Sequence, residues 1–407
     1  MTLDELTSRL RAAWRPVAIG GFALFGILLL VGRISLPGGA SFGYNSFARN
    51  LVVLVALGVL ARADGMRFPR SRIGPALLGF LAAAGLSIAL NRGGWGDFRL
   101  LANALGMFYV ARILAAGPRG SLWLFHWLGL LTIGVLVREV VHNPAVLTLR
   151  EAYRVALVTD HANTLGFALA LLTPIFLAGT VRDDRRVAAW IYAACSCLVV
   201  VITFSRSAWV ALSLGVVALA LATRRRRVAV GALVTGVVVT AVVAAATGYL
   251  SMGRTEADLQ RLRIIEASMS LFREHWLVGI GFGIRNLERL FPVRYLELYG
   301  ESLFLFHSHN LYVDVLTGTG VVGAVAAAVL LATLVRVAWR GVAGARSPER
   351  RLEAIAYAIS VGVFLLIGFV DMPFYHGRLV FLLAIVWALM EHGASADEDA
   401  ERPPAAA

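Results

Sequence analysis

Long apolar stretches separated by short polar segments recur along most of this chain. They are about 17 to 25 residues long, which is the length a helix needs to cross a ~30 Å hydrocarbon layer. Regular alternation of apolar and polar residues, the mark of half-buried strands, is missing. The pattern therefore predicts an all-α polytopic membrane protein with about 12 transmembrane helices. The predicted spans are residues 17–32, 46–61, 73–90, 97–115, 120–141, 163–180, 187–204, 207–223, 228–247, 311–335, 354–370 and 376–391.

Composition supports this class, since 59% of the residues are hydrophobic and only 15% are charged. A formal charge of +13 would suggest nucleic-acid binding in a soluble protein, but here every basic residue is an arginine and most lie in alternate short loops. Such a bias is typical of cytoplasmic loops. We predict that both termini are cytoplasmic and that nucleic acid is not a partner.

Two longer segments, at about 142–162 and 248–310, fall on the opposite, external side. The second is predicted to contain an amphipathic helix that lies in the membrane interface or packs over the bundle. Its apolar stripe comprises Leu259, Leu262, Ile265, Met269, Phe272 and Trp276. GIGFG at 279–283 breaks this helix, and a short helix from Ile284 to Phe291 should stop at Pro292.

The chain divides accordingly into N-terminal transmembrane helices (1–186), a core (187–335) that includes the external loop 248–310, C-terminal transmembrane helices (336–393) and a disordered tail (394–407).

The end of the external loop carries the candidate chemistry, HSHN at 307–310 followed by Tyr312. A neutral histidine takes up a proton near neutral pH, so His309 can act as a base. The alternatives are a helix cap and a metal site, but His-x-His alone is a weak metal signal and no acidic residue has a convincing spacing. We expect no metal. Asn310 and Tyr312 can bind sugar hydroxyls or anchor the membrane boundary, and His307 is a further candidate for substrate binding.

GTGVVG at 318–323 matches the glycine spacing of a dinucleotide-binding motif, but that motif needs a preceding strand, and the sequence predicts none here. The small residues instead predict close packing of helices.

External arginines are the second candidate feature. Arg206, within SRSAW at 205–209, is either a phosphate ligand or a plain turn residue. Arg285 follows GIGFG and is the preferred second phosphate ligand, with Arg263 and Arg289 as further substrate-binding candidates. Asp371 lies near His376 and Arg378, which predicts an ion pair at the outer mouth.

Three segments, SRSAW, HWLVGIGFG and HNLYVDVLTGTGVVG, together resemble the O-antigen ligase and polymerase superfamily. The ligase pattern is His, then Asn, Ser or Gln, nine residues, Gly, two residues, and Gly, Thr or Tyr. His309, Asn310, Gly320 and Gly323 satisfy it. The resemblance covers about residues 190 to 325.

This resemblance implies a GT-C-like glycosyltransferase of lipopolysaccharide biosynthesis in the bacterial inner membrane. Such enzymes move a glycan from undecaprenyl pyrophosphate to lipid A–core on the periplasmic side, among membrane lipids, with inversion and without metal or cofactor. His309 matches the family's essential histidine and Arg206 matches the arginine after the seventh or eighth helix, while Arg285 falls near a family arginine in the long loop. The alternatives are an O-antigen polymerase of the same superfamily and a flippase or other transporter of lipid-linked oligosaccharide. The lack of an internal repeat counts mildly against transport.

Overall fold

The computed structural model of the protein describes residues 3–31, 33–35, 41–61, 70–117, 119–145, 162–223, 255–304 and 307–399. Within these ranges the chain forms helices α1 Leu3–Val31, α2 Tyr44–Ala61, α3 Ile73–Asn91, α4 Trp95–Ala115, α5 Gly120–His142, α6 Ala162–Gly179, α7 Arg186–Ile202, α8 Arg206–Ala222, α9 Thr255–Glu274, α10 Ile284–Tyr299, α11 Leu311–Gly344, α12 Pro348–Ile367 and α13 Gly377–Asp399. A 3-10 turn at Pro373–Tyr375 precedes α13, and strands β1 (Arg33–Ser35) and β2 (Ser41–Gly43) form a small antiparallel ribbon.

The predicted all-α polytopic architecture is confirmed. Among the described helices, α3, α4, α5, α6, α11 and the Gly377–Ser395 part of α13 are long and apolar enough to cross a membrane. Pro16–Val31, α7 and α8 are shorter apolar helices. The predicted span 228–247 and residues 146–161 of the first external loop lie outside the described residues. Helix α13 runs to Asp399, so the first residues of the predicted tail are helical, and 400–407 also lie outside.

The core of the bundle is built around α6, which is buried on nearly all sides. It contacts α7, α8 and α12. A helix that is apolar all round suits such a central position. At one end of the bundle, Glu391 of α13 caps the start of α3, because its carboxylate accepts hydrogen bonds from Ser71 Oγ (2.7 Å) and Ile73 N (3.2 Å). Such a carboxylate satisfies backbone donors that the helix itself leaves free.

Helices α9 and α10 form a pair over α11 with a small core of their own, including Ile264, Ala267 and Leu271. The Thr317 hydroxyl donates to Ser268 O (3.1 Å) and fixes α9 on the bundle. The predicted helix is therefore present and packs over the bundle. Its apolar stripe is not the face that packs there, since Leu259 and Leu262 are more than half exposed. The buried residues Ile264, Ala267 and Leu271 are also spaced three and four residues apart. Ala267 is less hydrophobic than the leucines of the predicted stripe, so hydropathy indicates this buried face less strongly.

Helix α10 continues past Pro292, so the predicted end at Phe291 is wrong. A proline removes one hydrogen bond, here to the carbonyl of the exposed Glu288. Burial of Phe291 and Tyr295 against α9 outweighs this loss. The helix ends at Gly300 in the left-handed conformation that favours glycine (φ 70°).

Candidate active site

The long helix α11 is interrupted at Gly320 (φ 62°, ψ −163°), and the HWLVGIGFG segment enters the gap. Four backbone hydrogen bonds join the two: Val321 N to Trp276 O (2.8 Å), Val322 N to Leu277 O (3.2 Å), Ile280 N to Thr317 O (2.9 Å) and Gly281 N to Gly318 O (3.0 Å). The predicted close packing at GTGVVG is therefore present, but its partner is the backbone of an inserted loop and not another helix.

Glycine is required where the two backbones meet. A Cβ at Gly320 would lie 2.4 Å from the carbonyl carbon of Leu277, and one at Gly279 would lie 2.4 Å from that of Gly318. Ser87 of α3 supports the junction, since its hydroxyl donates to Gly318 O (2.7 Å). Non-helical backbone at membrane depth is tolerated where protein covers it and satisfies its polar groups. The junction therefore fixes the external loop to the helix that begins at the histidines.

Asn310 and Tyr312 hold the start of α11 in place. Asn310 is the N-cap, because its Oδ1 accepts from Tyr312 N (3.0 Å) and Val313 N (3.1 Å), and its amide donates to Phe369 O (3.2 Å). The Tyr312 hydroxyl donates to Leu365 O of α12 (2.8 Å). These contacts give both residues a positioning role, and the capping role considered for His309 belongs to Asn310.

His309 itself lies in the left-handed region (φ 56°), which is uncommon for a residue with a side chain. The surrounding turn is fixed, since Ser308 N donates to Asp314 Oδ1 (2.9 Å) and Leu311 N to Gly368 O (2.7 Å). Its side chain is only half-buried. Backbone strain that the surroundings enforce is concentrated at functional sites.

His307 lies beside His309, with 4.3 Å between the ring centroids. Its Nε2 donates to Asp371 Oδ1 (2.9 Å), and His376 Nε2 lies 3.6 Å from the same oxygen. Asp371 follows α12 and is only 4% exposed. Sequence reasoning placed Asp371 in an ion pair at the outer mouth and missed its contact with His307. The available signal was a lone carboxylate at the end of an apolar stretch.

Electrostatics separate the roles of the two histidines. Burial by itself would lower the pKa of His307, but the hydrogen bond and charge of Asp371, together with the charge of Asp314, raise it above the usual 6.5. Burial would raise the pKa of Asp371, but the hydrogen bonds and charges of His307 and His376 lower it well below its usual range. Both shifts favour an imidazolium paired with a carboxylate, and a histidine that is held in its protonated form is a poor base.

The same group could hold a metal ion. One ligand atom each from His307, His309 and Asp371 lie within 4.8 Å of one another. Two imidazoles and a carboxylate are donors that zinc accepts. However, His307 Nε2 and Asp371 Oδ1 are hydrogen-bonded to each other, so a metal ion that both atoms coordinate would have to replace that hydrogen bond. The expectation of no metal stays a prediction.

Arg206 is the first residue of α8 and has an exposed side chain at the histidine end of the bundle. SRSAW encodes the tight turn before it. Phe204 takes a left-handed conformation (φ 51°), Ser205 caps the helix through Ala208 N (3.4 Å), and the indole of Trp209 donates to Val200 O (2.9 Å).

Arg285 and Arg289 are exposed on the first two turns of α10. This helix begins next to the histidines, because the ring of Phe282 contacts that of Tyr375, the neighbour of His376 (5.3 Å between centroids). Arg263 lies on α9, where it pairs with Glu301 (3.2 Å). Its positive charge is therefore partly compensated, and its role in substrate binding stays a prediction.

An apolar groove of about 190 Å³ begins immediately beyond Asn310. Leu311, Tyr312, Val315 and Leu316 line it together with Phe374 and small residues further along α11. Its apolar walls suit a hydrocarbon chain, and the end of the groove at Leu311 lies next to the turn that contains His309.

The fold and the site define a polytopic α-helical membrane protein with a histidine and carboxylate cluster at one end of the bundle. Residues 191–328 match the O-antigen ligase family. This match supports membership of that family and indicates a glycosyltransferase-like enzyme of the O-antigen ligase/polymerase group, whose substrates are lipid-linked glycans. No curated protein matches the chain. The matched region contains Arg206, Arg285 and His309, whereas Asp371 lies outside it.

Proposed function

We propose that this protein is a glycosyltransferase that moves an O-antigen glycan from undecaprenyl pyrophosphate to lipid A–core. The supporting observation is the placement of His309, which is held in a left-handed turn beside the charged His307–Asp371 pair. In this proposal the site faces the periplasm, the protein lies in the inner membrane and both termini are cytoplasmic. The arginine-rich connections near residues 182–186 and 346–351 lie at the end of the bundle opposite the histidines, which supports this orientation.

The proposed reaction needs one base and several cations. An acceptor hydroxyl attacks the anomeric carbon from the side opposite the pyrophosphate, and its proton passes to His309. The bond from the anomeric carbon to the phosphate oxygen breaks, the electron pair leaves with the pyrophosphate, and the configuration inverts. Pyrophosphate is already a good leaving group, so the protein mainly has to stabilise its charge.

Arg206, Arg285 and the protonated His307 are the proposed pyrophosphate ligands. Asp371 would act through His307, because its carboxylate keeps that imidazole charged. Asn310 and Tyr312 would hold the turn without touching sugar. The apolar groove along α11 would take the lipid tail of a substrate, and the exposed Arg289 with Arg263 would contact anionic groups further out.

Product analysis tests this proposal. Purified protein in nanodiscs receives an undecaprenyl-pyrophosphate oligosaccharide with or without lipid A–core, and mass spectrometry identifies the products. Glycan on lipid A–core supports the proposal. Lengthening of the lipid-linked glycan without that acceptor would identify a polymerase, and no product from a competent donor would favour transport. We expect a chelator to leave the rate unchanged, whereas a loss restored by zinc would assign a metal to His307, His309 and Asp371.

A further inference from the structure

A second polar cavity of about 190 Å³ lies at the opposite end of the bundle from the histidines. It is enclosed by the starts of α5, α7 and α12 and by the ends of α6 and α13. The charged or titratable residues that line it are Arg182, Asp184, Arg185, Arg350, Glu353 and His392. None of them falls within the family-matched region 191–328, so the shared chemistry of the family does not account for this cavity.

Positive charge exceeds negative charge in this cavity, because its lining contains three guanidinium groups and two carboxylates. Arg182 and Arg185 both pair with Glu353, and Arg182 also binds Asp184 (3.2 Å). The N-termini of three helices add to the positive potential. Ser121 lies in the first turn of α5, Arg185 is the N-cap of α7, and Arg350 lies in the first turn of α12. Helix N-termini favour anions.

Arg185 gives the most direct sign of a missing partner. Its side chain is only 10% exposed, and its guanidinium carbon lies 4.4 Å from the centroid of the Phe125 ring. Its Nε has no hydrogen-bond acceptor within the described part of the chain. Glu353 compensates the charge of Arg185, but a buried Nε–H group without an acceptor is costly, so an anion that accepts from it would stabilise this end of the bundle.

We propose that this cavity binds a phosphate group, supplied by the headgroup of an anionic phospholipid in the leaflet at this end of the bundle. Its volume of about 190 Å³ is many times the ~10–15 Å³ that a single water needs by this measure, so a phosphate group fits. Basic pockets between membrane helices are known to take such headgroups. The site is separate from the glycan chemistry, so its test does not depend on the proposed transfer reaction.

Thermal unfolding in detergent tests the proposal. Phosphatidylglycerol is compared with phosphatidylcholine, and inorganic phosphate with chloride at equal ionic strength. Arg185→Gln removes the buried donor, and the adjacent exposed Arg186→Gln is the matched control. We expect phosphatidylglycerol to raise the unfolding midpoint of the wild type and of Arg186→Gln. In Arg185→Gln its apparent affinity should fall about tenfold. Arg182→Gln, at a more exposed position, replaces Arg185→Gln if the latter does not fold.

Glu353→Gln separates an anion site from a merely structural ion pair. Removal of the carboxylate that competes for Arg182 and Arg185 should tighten phosphatidylglycerol binding several-fold, whereas a structural role alone predicts lower stability without tighter binding. Equal stabilisation by inorganic phosphate would support the phosphate site and make soluble phosphate its source. The proposal is overturned if phosphatidylglycerol has no effect, or the same effect on the Arg185 and Arg186 variants.

Discussion

The glycine at position 320 is the point where the broken helix and the inserted loop approach most closely. Its backbone angles (φ 62°, ψ −163°) are open essentially only to glycine, and a side chain there costs about 1–3 kcal/mol. The added methyl would also lie 2.4 Å from the Leu277 carbonyl carbon, which cannot turn aside as a side chain can. Overpacking of this kind adds about 1–3 kcal/mol. We therefore expect Gly320→Ala to destabilise the protein by about 2–6 kcal/mol.

Gly318 offers a matched control on the same helix. A Cβ there would meet its nearest neighbour, Phe282 Cα, at 3.5 Å, an ordinary contact, so Gly318→Ala should remain within about 1 kcal/mol of the wild type. Unfolding midpoints from tryptophan fluorescence, measured in one detergent at one scan rate, would rank the variants alongside their glycan transfer rates. Gly279→Ala should resemble Gly320→Ala, because it clashes from the other side of the junction. Equal stability and activity of the Gly318 and Gly320 variants would refute the close backbone pairing.

Three further substitutions test other parts of the account. Asp371→Asn removes the charge that raises the pKa of His307, so the imidazole should lose its proton at lower pH. The alkaline limb of the pH–rate profile should therefore shift to lower pH, and an unshifted limb would contradict this. Arg206→Ala should raise the KM for the donor, and Arg206→Lys should restore only part of the loss because lysine lacks the planar fork; full activity of the alanine variant would remove Arg206 from the site. Glu391→Gln should cost about 1–3 kcal/mol through the cap of α3 without changing the donor KM, which unfolding midpoints and steady-state kinetics would check.

Helix positions could be predicted from sequence because the bilayer dictates them. A chain that crosses hydrocarbon must satisfy its backbone within each segment, so apolar runs of sufficient length become helices. The predicted starts at residues 73, 120 and 311 agree with those of α3, α5 and α11. The assignment of His309 to a turn at a helix start also followed from local sequence, since polar HSHN meets an apolar run.

Long-range backbone contacts could not be predicted in this way. The break at Gly320 depends on a segment some forty residues earlier in the chain, whose backbone groups replace those of the helix. Hydropathy shows which residues are apolar, but it does not show which backbone groups lack their hydrogen-bond partner within the helix. The glycines of GTGVVG signalled a close approach, but the approaching element could not be read from them.

The partner of His307 was missed for a similar reason. Asp371 comes from the end of α12, and only the packing of α12 against α11 brings it to His307. Spacing along the chain indicates metal or acid partners only among acidic residues close to the histidines. Asp371 follows a helix that is distant in the chain but ends on the same side of the membrane, so it can reach His307 equally well in a helical bundle.

The most direct test of the central claim is the glycan transfer rate of His309→Ala, with His275→Ala as the control. His275 is an exposed histidine directly after α9, so the same substitution is made there without removing a side chain that is assigned to the reaction. The account predicts that His309→Ala loses transfer while its unfolding midpoint and donor binding stay close to those of the wild type, and that His275→Ala transfers normally. Normal transfer by His309→Ala would contradict the assignment of His309 as the base.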